Sequence, residues 1–158
     1  RSVHIRGVRV CERDESGGHA GVGSVSLYRF IAADQPMDAF SVGIEVLSEN
    51  MIRVDEERNL EIAVDDRSYS SVYTKKPYIM SIQFDQFSGI AEDLLAYIRR
   101  QMQRHKSLAL WSMWMDERER PEKRAVNVED LTVEELEWIY GIEIYEHPQC
   151  LKVYRWSR

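Results

Sequence analysis

The sequence has little cysteine, and what it has is badly placed for chemistry. Cys11 and Cys150 stand near opposite ends of the 158 residues, and neither has a close-spaced partner. That spacing excludes a four-cysteine zinc site and a thioredoxin-like pair. A bridge between them would require neighbouring terminal strands, and a domain of this size needs no such staple. Two buried or half-buried thiols are the simpler expectation. No two of the four histidines have metal-ligand spacing, and H-E-x-x-H is absent. No metal is expected.

Long hydrophobic runs are also missing. None approaches the roughly 20 apolar residues that cross a bilayer. No secretory pattern opens the chain, and no repeat or low-complexity tract interrupts it. No G-x-S-x-G elbow accompanies any serine. The glycines of 18–23 (GHAGVG) run G-x-x-G-x-G, the wrong order for a dinucleotide fingerprint. The residues directly after them (SVSLYRFI) have strand character rather than helix character. The Gly-Lys-Ser or Gly-Lys-Thr end of a phosphate loop is absent. No cofactor is expected.

Positive charge is in deficit. The net charge is −6 and the pI about 5.3. This argues against general affinity for nucleic acid, which needs a basic surface. It fits a cytoplasmic protein, or one whose partner is basic. The acids are clustered. Residues 43–66 carry eight acids against Arg53 and Arg58, and residues 116–137 carry nine against four bases.

What remains is architecture. Tyr78, Met80, Ile82 and Phe84 alternate with more polar positions, the period of a half-buried strand. Ile90, Leu94, Ile98 and Met102 then recur every four residues, the stripe of a helix on a core. The expected helix covers about 88–106. Leu108 to Met115 (LALWSMWM) is apolar on both faces, as a central strand should be. A helical connection of this length makes the two flanking strands parallel, by a right-handed crossover. Trp111 and Trp114 then fall on opposite faces, both mostly buried.

Elsewhere, 3–11 reads as one strand, 24–31 as another, and 41–47 as a third with Val42, Ile44 and Val46 on one face. Residues 51–54 and 60–64 read as a hairpin whose tip, 55–59, is acidic. Residues 65–77 and the charged segment 116–124 read as irregular. Thr132 and Glu135 form a capping box for a second helix, with Leu131 and Leu136 as its staple. Gly141 ends it. Strands at 142–145 and 151–156 form a terminal hairpin. The expected fold is a single α+β domain over 1–158. It has a mixed, largely antiparallel sheet, one parallel βαβ step at 78–115, and two packed helices.

Three functional readings are open. The preferred one is a non-enzymatic protein-binding module, an acidic inhibitor or immunity-type protein that masks a basic partner. Trp138 would be its anchor, because it projects on the polar face of the second helix among Glu134 and Glu137. Asp55, Glu56 and Glu57, and the loop acids Asp116, Glu117 and Glu119, would supply the attracting charge. The alternative is a small enzyme working on a nucleotide or other polar substrate, with acid–base residues Asp116, Glu117 and His105. The acid pair would lie just past a central strand, where α/β folds place ligands. His105 would lie in the first helix's apolar stripe, at its last turn. The third reading is a structural subunit that oligomerises through a sheet edge.

Overall fold

The computed structural model describes residues 2–13, 27–65, 73–114, 119–141 and 147–156. The strands are β1 (Ser2–Ile5), β2 (Val8–Glu12), β3 (Leu27–Ala33), β4 (Phe40–Val42), β5 (Ile44–Val46), β6 (Met51–Asp55) and β7 (Leu60–Val64). Then come β8 (Tyr78–Phe84), β9 (Ser107–Trp114), β10 (Glu122–Asn127) and β11 (Gln149–Tyr154). The helix α1 (Phe87–Gln101) lies between β8 and β9. A 3-10 turn (Val128–Asp130) and α2 (Val133–Tyr140) come after β10. The fold is α+β, with two sheets. Seven strands form one in the order β10-β11-β9-β3-β8-β7-β4, and four form the other in the order β1-β2-β6-β5.

The βαβ step has the expected direction, with one strand inserted. Both β8 and β9 pair antiparallel with β3, which lies between them, so they run the same way. The adjacent parallel pair is β10 with β11. β9 is interior, and its side chains from Leu108 to Met113 are buried on both faces. Trp111 is 3% exposed, whereas Trp114, at the strand's end, is half-buried.

Both helices pack on one face of the large sheet. Ile90, Leu94 and Ile98 of α1, Met102 just after it, and Leu136 and Ile139 of α2 meet Ile31, Met80, Leu108, Leu110 and Leu151. Each such side chain contributes about 1.5–3 kcal/mol by leaving water. The other face holds a second cluster of Tyr28, Phe30, Ala32, Ala109, Trp111, Met113 and Cys150. Aromatic rings run across it, with Phe30 stacked on Trp111 at 6.0 Å and Tyr73 on Trp111 at 5.4 Å.

Several expectations about pairing are corrected. Residues 3–11 are two strands, not one. Arg6 and Gly7 have φ of 36° and 76°, the paired positive values of a two-residue hairpin turn. Residues 41–47 also split, at Gly43 (φ 72°), where an added Cβ would sit 1.7 Å from the Arg58 carbonyl oxygen. On one side of Gly43, β4 joins β7 in the large sheet. On the other, β5 joins β6 in the small one. Nor do 51–54 and 60–64 form a hairpin. β6 pairs with β2 and β5, whereas β7 pairs with β4 and β8.

Part of the charged excursion at 116–124 belongs to β10, which runs along the edge of the large sheet. β11 pairs with β9 and β10. The strand expected at 142–145 lies outside the described residues, as do the glycine loop at 16–23 and most of 65–77. α1 stops at Gln101, five residues early, and a tight turn carries the chain through Arg104. Cys11, in the small sheet, and Cys150, in the large one, are buried free thiols.

Candidate functional site

The second helix is built as its sequence requires. The Glu135 carboxylate accepts from the Thr132 backbone N–H at 2.8 Å and from its hydroxyl. That hydrogen bonding holds the Glu135 carboxyl below the ordinary carboxylate range. Leu131 and Leu136 are fully buried on either side of the cap. With Leu136, Ile139 and Tyr140 turned to the core, Glu134 and Glu137 are left exposed.

A second cap immediately precedes this one. Asn127 Oδ1 accepts from the Glu129 backbone N–H at 3.1 Å and starts the 3-10 turn. The turn presents Glu129 and Asp130 to solvent. Glu129, Asp130, Glu134 and Glu137 therefore form one acidic ridge. None of the four makes an ion pair among the described residues. At the start of the ridge lies a groove of about 820 Å³, lined by Asn127, Glu129, Asp130 and Trp156. Trp156 is 72% exposed, the most exposed aromatic side chain among the described residues.

Trp138 sits differently from Trp156. It is half-buried against the rim of the main core. The Arg124 guanidinium of β10 lies over its ring, 4.3 Å from the centroid.

The acids expected around 55–57 are divided between tasks. Asp55 Oδ1 accepts from the backbone N–H groups of Glu57 (3.0 Å) and Arg58 (3.2 Å), which holds the turn. Glu56 faces Arg9 at 3.4 Å and His4 at 3.5 Å. Glu57 is exposed and has no ion-pair partner among the described residues. Glu119 is exposed and lies 3.6 Å from His147.

His105 is past the helix, not in its last turn, and is 7% exposed. Its Nδ1 is 2.7 Å from the Gln101 carbonyl oxygen and its Nε2 is 3.3 Å from that of Gln35. Both ring nitrogens are thus engaged with backbone, and the ring joins the end of α1 to the loop after β3. Asp116 and Glu117 lie outside the described residues. Among the described residues no group of three or more His, Cys, Asp and Glu side chains is arranged to hold a metal.

Sequence reasoning passed over Glu129 and Asp130 and gave Trp156 no part in the acidic surface. A signal for the first two was present: Asn127 is a cap residue three positions before Asp130, so the acids had to stand at an exposed turn. The Lys152–Trp156 tail mixes cations and aromatics that could stack on single-stranded bases, but a hairpin strand with one buried face accounts for the same letters. β11 ends at Tyr154, which puts the indole two residues beyond its support. No helix among the described residues is long and apolar enough to cross a membrane. Compared with known proteins, the chain matches no family model, no curated protein and no solved structure.

Proposed function

We propose that this protein is a non-enzymatic binding module that docks a basic protein partner on the acidic ridge of the 3-10 turn and α2. An inhibitor or immunity-type role, in which the partner's basic surface is masked, is the form of this reading that suits the charge. The observation that carries it is Trp156, 72% exposed in a groove with Glu129 and Asp130. An exposed indole beside unpaired carboxylates suits a partner's lysine or arginine. The ring takes the cation on its face, and the carboxylates take its hydrogen bonds. Tryptophan anchors ringed by polar groups carry much of the energy of protein interfaces.

The test uses a partner captured from the native host, with both rate constants measured. Association should slow as salt rises, because screening shortens the reach of the ridge to about 10 Å at 0.1 M. Glu129→Lys with Asp130→Lys should slow association further. Trp156→Ala should chiefly speed dissociation, at a cost of about 2 kcal/mol. A captured partner whose rates ignore both changes would refute the proposed surface.

The small sheet favours a second reading, the oligomerising subunit. Val3 and Ile5 on the edge strand β1 are 59% and 68% exposed. Their cross-strand partners Val10 and Val8 are half-buried on the same face. Sedimentation would decide it: a concentration-dependent dimer lost in Ile5→Lys supports this reading, and a monomer at all concentrations refutes it.

A further inference from the structure

The sheet face away from the helices carries a cavity of about 370 Å³ with the opposite electrostatic character to the ridge. Its shape follows from the strand register. One row across the sheet reads Lys123, Cys150, Trp111, Phe30, and the next reads Ala125, Lys152, Ala109, Ala32. Ala109 and Ala125 beside Trp111 leave a depression, which Lys123 and Lys152 also line. Thr74 and Lys76, just before β8, line it from the side.

Among the described residues no carboxylate lines this cavity, although the chain has 27 acids. Lys123 and Lys152 make no ion pair among the described residues, whereas Lys76 is tethered to Asp34 at 2.9 Å. Arg124 also lines it, but its guanidinium turns away onto Trp138. Trp111 is 97% buried, and its Nε1 has no hydrogen-bond partner among the described residues. A buried donor of this kind costs free energy unless an acceptor reaches it. A cavity of this volume suits a small organic molecule.

We infer that this cavity binds a small organic anion, with an apolar body against Trp111, Ala109 and Cys150 and a phosphate or carboxylate head between Lys123 and Lys152. Recognition is non-covalent. Burial pushes the Cys150 thiol up to about 11, overriding the nearby lysines, so it is no nucleophile at neutral pH. Lysine is suited to the head group because its ammonium is a mobile point charge that adapts to either anion. The site and the acidic ridge use different residues, so either can fail without the other.

Backbone and indole chemical-shift mapping on the full chain tests this with phenyl phosphate, inorganic phosphate and phenol as probes. Phenyl phosphate should give saturable shifts at the Trp111 indole N–H, Ala109, Ala125 and Cys150. It should bind at least tenfold more tightly than either fragment. Lys123→Met with Lys152→Met should weaken it at least tenfold, and Lys106→Met, at an exposed lysine outside the cavity, should change it less than twofold. Ala125→Leu fills the cavity from an exposed edge strand while keeping both lysines, and it should also abolish saturable binding. Non-saturating shifts spread over surface lysines would overturn the site. So would equal binding by the Ala125→Leu variant. Phenol binding as tightly as phenyl phosphate would overturn its anionic character.

Discussion

Arg9 Nη1 lies 2.9 Å from an Asp85 carboxylate oxygen, and this pair joins the small sheet to the large one. Arg9 comes from β2, and Asp85 immediately follows β8. Asn59 completes the joint, donating from Nδ2 to Asp85 at 3.0 Å and accepting from the Asp85 backbone N–H at 3.1 Å. Asn59 is almost fully buried, and the Arg9 side chain is 10% exposed. Two further Arg9 nitrogens, Nε and Nη2, are buried without an oxygen or nitrogen hydrogen-bond partner among the described residues.

The joint should therefore respond asymmetrically to mutation. Asp85→Ala leaves the buried guanidinium with only the longer Glu56 contact at 3.4 Å and should cost about 3 kcal/mol. Arg9→Met removes the unsatisfied nitrogens together with the charge and should cost less. Urea denaturation of both variants checks the order. A larger loss in Arg9→Met would mean that the arginine's contacts outweigh its desolvation.

Gly89 is in the first turn of α1, where alanine would ordinarily stabilise a helix by up to about 1 kcal/mol. Here an added Cβ would fall 1.7 Å from the Glu57 carbonyl oxygen. The helix must press against the chain segment that links the two sheets. Gly89→Ala should thus reverse the usual sign and destabilise by about 1–3 kcal/mol, read as a lower denaturation midpoint.

The Glu135 cap should give an acid-side signature. Its carboxyl is held low chiefly by the Thr132 hydroxyl, helped by backbone N–H groups. A lowered folded value adds stability that is present above the ordinary glutamate pKa. That stability is lost as pH falls through the folded value. The stability gap between the protein and its Glu135→Gln variant should accordingly close on acidification. A gap that stays constant down to about pH 2, below the ordinary carboxylate range, would assign the cap's contribution to geometry alone.

Cys150 should give the alkaline counterpart. Burial lifts its thiol from 9.0 to about 11. The stabilisation is complete below about pH 9 and is lost as pH rises toward 11. Denaturation midpoints should fall over that range more steeply in the native chain than in Cys150→Ala. A thiol reagent at about pH 8, near the ordinary thiol pKa, should label unfolded protein much faster than folded protein.

Which parts of this were legible depended on distance along the chain. The burial of β9, the apolar stripe of α1 and the Thr132–Glu135 box are local patterns, and each is found where the letters place it. Pairing is not local. Val42, Ile44 and Val46 share a period, but the period does not say that Gly43 turns the chain from one sheet into another. Met51–Val54 and Leu60–Val64 look like hairpin arms because they are close in sequence. Instead β6 pairs with β5 and with β2, 39–47 residues back along the chain, and β7 pairs with β4 and with β8, 16–24 residues ahead. β10 was hidden for another reason. An edge strand exposed along most of its length carries charges on both faces, and Glu122-Lys-Arg reads like any solvated loop. The ridge was half legible: Glu134 and Glu137 follow from helix periodicity, whereas Trp156 is exposed only because β11 stops short of it.

The passage of the chain between sheets limits how the molecule can be cut. The strand pair β4–β5 spans both sheets through Gly43, and β6–β7 spans them again through the turn at Asp55–Asn59. With the link from β2 to β3, three covalent passages tie β2, β5 and β6 of the small sheet to the large one, while β1 is held along a single edge. Deleting β1 trims a border. Excising the small sheet severs all three passages and leaves β3, β4 and β7 without their covalent neighbours, so a cut along the sheet boundary should destabilise both halves.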